Sequence, residues 1–217
     1  DPGHLGATIN RGIMFQSQGD FARAIADFNT AIRLKPQDPS GYANRGNAWQ
    51  LQGDHSRAIA DYDAAIRLDP NDPCTRYNRG SARHDNGDLI AAIADYDEAI
   101  RLQPGYAVAF NNRGLVWKAK HEPARARADF EAAIRLNPEV AAFHINRGNA
   151  RDDDGDAAGA IADYSEALRL QPGYALAYDL RALARQKTGD ASGAMADTAA
   201  ARKLDPKSPT WTRAATQ

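Results

Sequence analysis

The sequence predicts an all-α solenoid of six 34-residue helix-turn-helix repeats, and three observations predict it. Pro36, Pro70, Pro104, Pro138, Pro172 and Pro206 recur at a constant 34-residue interval, without one insertion. The string Asn44-Arg45-Gly46, Gly53-Asp54, Ala58-Ile59-Ala60-Asp61-Tyr62 returns as Asn78-Arg79-Gly80, Gly87-Asp88, Ala92-Ile93-Ala94-Asp95-Tyr96. It also stands one period earlier as Asn10-Arg11-Gly12, Gly19-Asp20 and Ile25-Ala26-Asp27-Phe28. Each period holds two stretches of helical spacing divided by a Gly-Asp break. A unit this short cannot bury its own apolar face, so successive units must stack and share a core.

Ending each unit two residues after its proline gives repeats 5–38, 39–72, 73–106, 107–140, 141–174 and 175–208, one solenoid domain over 5–208. In the second unit the first helix is expected from about Ser40 to Leu51. Pro39 stands at its start, where a missing N–H costs nothing. Gly53 then breaks the pattern, and Asp54 can accept from the free N–H groups of the following helix. That second helix should run to about Leu68, with Ala58, Ile59, Tyr62, Ala65 and Ile66 on one side, and Pro70 closes it. Each helix is roughly 20 Å long. The fourth unit has His121-Glu122-Pro123 where the others have Gly and an acid, so a less regular turn is expected there. The sixth carries Leu180, Thr198 and Arg202 in place of Asn, an aromatic and an aliphatic residue, as a solvent-facing cap requires. The tail 209–217 shows no apolar periodicity, although Trp211 could anchor locally.

Composition narrows the function classes. Hydrophobic residues at 43% and charged residues at 25% fit a folded chain rather than a disordered one. The net charge of -1 offers no electrostatic reason to bind nucleic acid. No apolar run approaches the 18 or so residues of a membrane span, so membrane insertion is not expected. Cys74 is the only cysteine and can form neither an intrachain disulfide nor, alone, a zinc site. A chain that begins at Asp1 fits a trimmed or processed product; a cytoplasmic location is favoured, with export after loss of a signal peptide as the alternative.

The pattern resembles the tetratricopeptide repeat family over residues 5–208. The features that carry the resemblance are the crossing glycines Gly12, Gly46, Gly80, Gly114 and Gly148, with Ala182 in the last unit. Alongside them recur the alanines Ala24, Ala58, Ala92, Ala126, Ala160 and Ala194, and the aromatics Phe28, Tyr62, Tyr96, Phe130 and Tyr164. The resemblance implies a right-handed α-solenoid superhelix whose first helices line a concave surface, and a role in binding other proteins.

Two polar ladders stand out. Arg11, Arg45, Arg79, Arg113, Arg147 and Arg181 sit where the family usually has a leucine-like residue. Asp27, Asp61, Asp95, Asp129, Asp163 and Asp197 are their obvious partners, because a guanidinium in a packed place needs a carboxylate. The matched acids argue against a phosphate-binding ladder. One residue before the arginines stand Asn10, Asn44, Asn78, Asn112 and Asn146. A step of about 100° round the helix turns them from the packed side to the open side. An amide can pair bidentately with any peptide group, so such a line suits an extended polypeptide. It resembles the asparagine ladder in the repeat domain of the enzyme that attaches N-acetylglucosamine to proteins. Shared duplication history, hydrogen bonding to a neighbouring helix, and simple solubility are the competing explanations.

Asn47, Tyr77, Asp85, Asn111, Leu115 and Asn149 complete the expected binding face. Its lining turns mildly acidic towards Asp152 and Asp153, with Lys118 as the exception, which favours neutral or basic peptides. The lysines that other members of the family use to grip a terminal carboxylate are missing from the equivalent places, such as Ala43, Tyr77 and Cys74. Asp152-Asp153-Asp154 lacks the alternating ligands of a calcium loop, the five histidines share no ligand spacing, and no catalytic or phosphate-loop motif is found. No cofactor and no enzymatic activity are expected. The reading is a non-enzymatic scaffold that binds a polypeptide in its groove. The alternative is a self-assembling unit that uses its terminal or convex faces, above all the apolar N-terminal face around Leu5, Ile9 and Phe15.

Overall fold

The computed structural model describes residues 4–206, so Trp211 and the tail lie outside the described residues. Among the described residues there are twelve α-helices and no strand. They are α1 (Leu5–Ser17), α2 (Phe21–Leu34), α3 (Pro39–Leu51), α4 (His55–Leu68), α5 (Pro73–Asp85), α6 (Leu89–Leu102), α7 (Ala107–Ala119), α8 (Pro123–Leu136), α9 (Ala141–Asp153), α10 (Ala157–Leu170), α11 (Ala175–Lys187) and α12 (Ala191–Leu204). Contacts gather into two compact units, residues 1–112 and 113–217, divided within α7.

In the first unit α1–α2, α3–α4 and α5–α6 form hairpins. The second helix of one hairpin packs on the first helix of the next, and α3 also touches α1 and α5. The first helices therefore make one layer and the second helices another. In the second unit α9–α10 and α11–α12 are hairpins, α8 packs on α9, α10 on α11, and α9 touches α11.

Side-chain volume sets how closely each pair of helices approaches. Phe28, Tyr62, Tyr96, Phe130 and Tyr164 are essentially fully buried, each against the glycine of its own first helix. A Cβ built on Gly46 would stand 2.8 Å from the Tyr62 ring, and one on Gly148 would stand 2.6 Å from Tyr164. In the last hairpin Ala182 replaces glycine and Thr198 replaces the aromatic, so the added methyl coincides with a smaller partner.

Helix ends follow the Gly-Asp rule. Asp20, Asp54, Asp88, Asp156 and Asp190 each accept from a backbone N–H in the first turn of the helix they cap. The glycine before each has φ between 77° and 86°. The turn at His121 is more regular than its sequence suggests: His121 itself adopts the left-handed φ of 59°. The Glu122 N–H reaches Trp117 O at 3.0 Å, as the Asp54 N–H reaches Trp49 O at 2.9 Å. The departure falls on the cap instead, since Glu122 makes no side-chain bond to α8.

Candidate functional site

The arginine ladder is structural. Each arginine meets the aspartate sixteen residues on in its own hairpin, at 2.7 Å for Arg11–Asp27 and 2.5–2.6 Å for the other five. Both Nε and Nη2 donate, giving the two-pronged geometry that fixes a guanidinium most firmly. All six aspartates are buried. Arg79 also reaches Asp63 of the preceding hairpin at 2.6 Å. Burial alone would lower the Arg79 pKa, but Asp95 and Asp63 more than reverse this and raise it. A second arginine joins the aspartate in three hairpins, through Arg83, Arg151 and Arg185. Where that second arginine is replaced by Phe15, Trp49 or Trp117, a different arginine lies over the ring instead, with Arg23, Arg57 and Arg125 at 4.4–4.6 Å from the ring centroid.

The asparagines form a network in the first unit. Asn10 is exposed, whereas Asn44, Asn78 and Asn112 are half-buried. Asn44 Nδ2 donates to Ser40 O at 2.8 Å. Asn78 Nδ2 donates to Asn47 Oδ1 at 3.1 Å, linking α5 to α3. Asn112 Nδ2 donates to the Tyr77 hydroxyl at 2.8 Å, linking α7 to α5. Asn111 is buried rather than open, and its Nδ2 donates to Asn112 Oδ1 at 3.1 Å. Asn47 Oδ1 also accepts from Tyr62 Oη at 2.7 Å, and that hydroxyl bridges to Gln50 Oε1 at 2.9 Å. Gln50 Nε2 continues to Ser81 Oγ at 3.1 Å and Asp85 Oδ2 at 3.4 Å. Tyr77 stacks obliquely on Tyr96 and Tyr106, with ring centroids 5.8 and 5.2 Å apart.

In the second unit Asn146 is half-buried, Asn149 Oδ1 accepts from Tyr164 Oη at 2.8 Å, and Leu115 packs on the Phe130 cluster. The acidic lining expected here is neutralised. Lys118 meets Asp153 at 2.9 Å, Lys187 meets Asp152 at 2.7 Å, and Arg127 meets Asp154 at 3.0 Å.

Sequence reasoning missed Gln50, Tyr96 and Tyr106 as parts of the first unit's network. The signal for Tyr96 lies in comparing units: Asn47 and Asn149 accompany Tyr62 and Tyr164, while Leu115 accompanies the hydroxyl-free Phe130. Ser81 with Tyr96 breaks the rule.

A profile of the tetratricopeptide repeat matches residues 10–73 and 113–175, together more than half of the chain, and a second TPR profile matches 80–120. The chain belongs to the tetratricopeptide repeat family. No curated protein matches the sequence. Tetratricopeptide structures resemble it closely in fold at low identity. One from a study of Pseudomonas aeruginosa pilF is 20% identical with a TM-score of 0.84, over 96% of this chain and 95% of that one. A chain of the APC/C hetero-tetramer Cut9–Hcn1 is 19% identical with a TM-score of 0.82, over 98% of this chain but only 42% of its own length. YrrB, described as a TPR protein with an unusual peptide-binding site, is 20% identical with a TM-score of 0.68, over 88% and 98%. The family makes this chain a protein–protein interaction scaffold in general terms. Among the described residues no helix is long and apolar enough to cross a membrane, and no group of His, Cys, Asp or Glu side chains could hold a metal ion.

Proposed function

We propose that this scaffold is non-enzymatic and holds an extended polypeptide along the layer of first helices, with the amides of Asn44, Asn78 and Asn112 pairing with its backbone. The supporting observation is the state of those amides. Asn112 spends one N–H on Tyr77 and accepts from Asn111 with one lone pair of its oxygen, which keeps a second lone pair on that oxygen. Asn78 spends a single N–H on Asn47. Each is therefore held in one orientation while keeping the capacity to meet a peptide group, which lowers the ordering cost of binding. YrrB supports the reading only as a fold relative for which a peptide site has been described.

The test is a peptide screen with the chain, followed by titration of the best hit into the double variant Asn78→Ala, Asn112→Ala. Affinity should fall by about 1–3 kcal/mol, a factor of about 5 to 150. Both side chains also brace neighbouring helices, so the variant should lose about 1–3 kcal/mol of stability as well. Circular dichroism below its transition supplies the folding control. Unchanged affinity in the folded variant rejects the ladder as the binding element.

A further inference from the structure

In both units a second helix is covered by the first helix that follows it, and the contacts fall at fixed places. Gly41 lies over Ile32, where an added Cβ would stand 2.9 Å from Ile32 Cγ1. Arg45 Nη1 donates to Asn29 Oδ1 at 2.5 Å, and Arg79 makes the same bond to Asp63 at 2.6 Å. Between the first helices themselves, Asn78 bonds Asn47. The last hairpin has no such cover among the described residues, which end at residue 206. Leu183 is 52% exposed there, whereas Leu115 in the same place on α7 is half-buried. Arg202 is exposed where every other second helix has isoleucine or leucine.

The sequence that follows carries the other half of each contact. Pro209 stands where Pro39 and Pro73 open α3 and α5, and Ser208 stands where Asp38 and Asp72 cap them. Serine caps a helix about as well as aspartate. At the separation of Gly41 from Ile32, the partner of Arg202 is Trp211. The aliphatic side chain and its partner are replaced together, by a guanidinium and the ring that best receives one. At the separation of Arg45 from Asn29, the partner of Ala199 is Ala215, so acceptor and arginine are lost together. At the separation of Asn78 from Asn47, the partner of Leu183 is Ala214, an apolar pair in place of a hydrogen-bonded one. The Trp211 place accepts a large ring once already, since its equivalent in α9 is Phe143, 3% exposed. A second copy of the chain fits worse. Its α1 would bring Ala7 to Arg202 and would set Arg11 over Ala199, which offers no acceptor.

We infer that residues 208–217 dock on the exposed end of the last hairpin as the opening turns of a seventh first helix. Ser208 caps it, Trp211 stacks on the Arg202 guanidinium, and Ala214 and Ala215 lie on Leu183 and Ala199. Three joint replacements in a single register carry the assignment. Arg202 then serves as the seat of an intrachain contact as well as a polar end to the stack. The segment occupies the face that the first helix of a second copy would use to lengthen the stack. The inference stands apart from the groove reading and concerns a different surface.

The experiment makes Trp211 the only tryptophan of the full chain, through Trp49→Phe and Trp117→Phe. Phenylalanine suits that place, because Phe15 holds it in α1 beneath Arg23. Acrylamide should quench Trp211 about threefold less in the folded chain than in urea, at every chain concentration. Arg202→Gln should return the quenching most of the way to the unfolded value. Lys203→Gln, which removes the next exposed cation, should leave it unchanged. Ala199→Asp with Ala215→Arg rebuilds the contact that Arg79 makes to Asp63 and should raise Tm by about 1–3 °C beyond the sum of the single variants. Quenching in the folded chain equal to that in urea overturns the docking. Protection that grows with chain concentration assigns the face to a second copy and overturns it equally. Protection that survives Arg202→Gln, or an absence of coupling between Ala199→Asp and Ala215→Arg, overturns the register.

Discussion

Arg79 and Arg113 occupy equivalent places, yet removing them should not cost the same. Asp95 accepts from Arg83 at 2.8 Å as well as from Arg79, so Arg79→Met leaves it one cation. Asp129 accepts from Arg113, and the residue equivalent to Arg83 in that hairpin is Trp117. Arg113→Met therefore strands a buried carboxylate, for which about 3–5 kcal/mol is the usual loss. Arg79→Met should cost roughly half as much by the same reasoning. Urea titration of the two variants, with slopes compared to confirm like-for-like unfolding, gives the difference directly. Equal losses would mean that Arg83 does not share the load. The pairing itself was legible in the sequence, because a repeated charge at a packed place demands a repeated counter-charge. The second acceptor was not: Asp63 lies outside the aspartate ladder, and only the approach of one hairpin to the next brings it to Arg79. The same holds for the amides. Periodicity puts Asn78 and Asn112 on the open side, but their bonds to Asn47 and Tyr77 depend on the spacing between helices.

At the scale of the element, the α7–α8 turn shows what the repeat tolerates and what it loses. The backbone hydrogen bonds match those of the other turns, so the packing of α7 and α8 dictates the conformation and His121 complies. Compliance has a cost, because a side chain in the left-handed region is disfavoured where glycine is not. The missing cap at Glu122 adds to it, since the longer glutamate does not reach the N–H groups that aspartate reaches elsewhere. His121→Gly should stabilise the chain by about 0.5–1 kcal/mol. Glu122→Asp should add about 0.5–1 kcal/mol more if it caps as Asp54 does. Thermal melts of the single and double variants would check both, and a double variant no more stable than the parent would show that the turn is not strained. The place of this departure was legible in the sequence but its nature was not: the backbone of the turn is regular, and it is the side-chain cap that is absent. Proline at the first position of α8 adds no irregularity, as at α3 and α5.

For the whole molecule, the question is whether copies of the chain associate. The apolar N-terminal face expected from Leu5, Ile9 and Phe15 is smaller than its composition suggests. Ile9 and Phe15 pack inward on Ala24, Phe28 and Ala48, and Arg23 covers the Phe15 ring at 4.4 Å. Ile13 and Met14 remain, 43% and 61% exposed, beside the exposed Asn10 and Arg11. Two part-exposed side chains fall far short of the roughly 800 Å² that each partner buries in a stable interface. The last hairpin exposes Leu176 and Leu183 on α11 and Met195 and Leu204 on α12, with the polar Arg202 two residues before Leu204. The arginines offer no alternative, because each ladder guanidinium is already neutralised within its own hairpin. The chain should therefore remain a monomer of 23.5 kDa at concentrations of about 100 µM, well above those needed for peptide titrations. Light scattering across a concentration series would check this. A mass that doubles within the series, and returns to the monomer value when Ile13 and Met14 are both changed to serine, would instead assign the N-terminal face to self-association. That result would restore assembly as a rival to polypeptide binding, because a chain that buries α1 against a second copy withdraws Asn10 and its neighbours from any ligand.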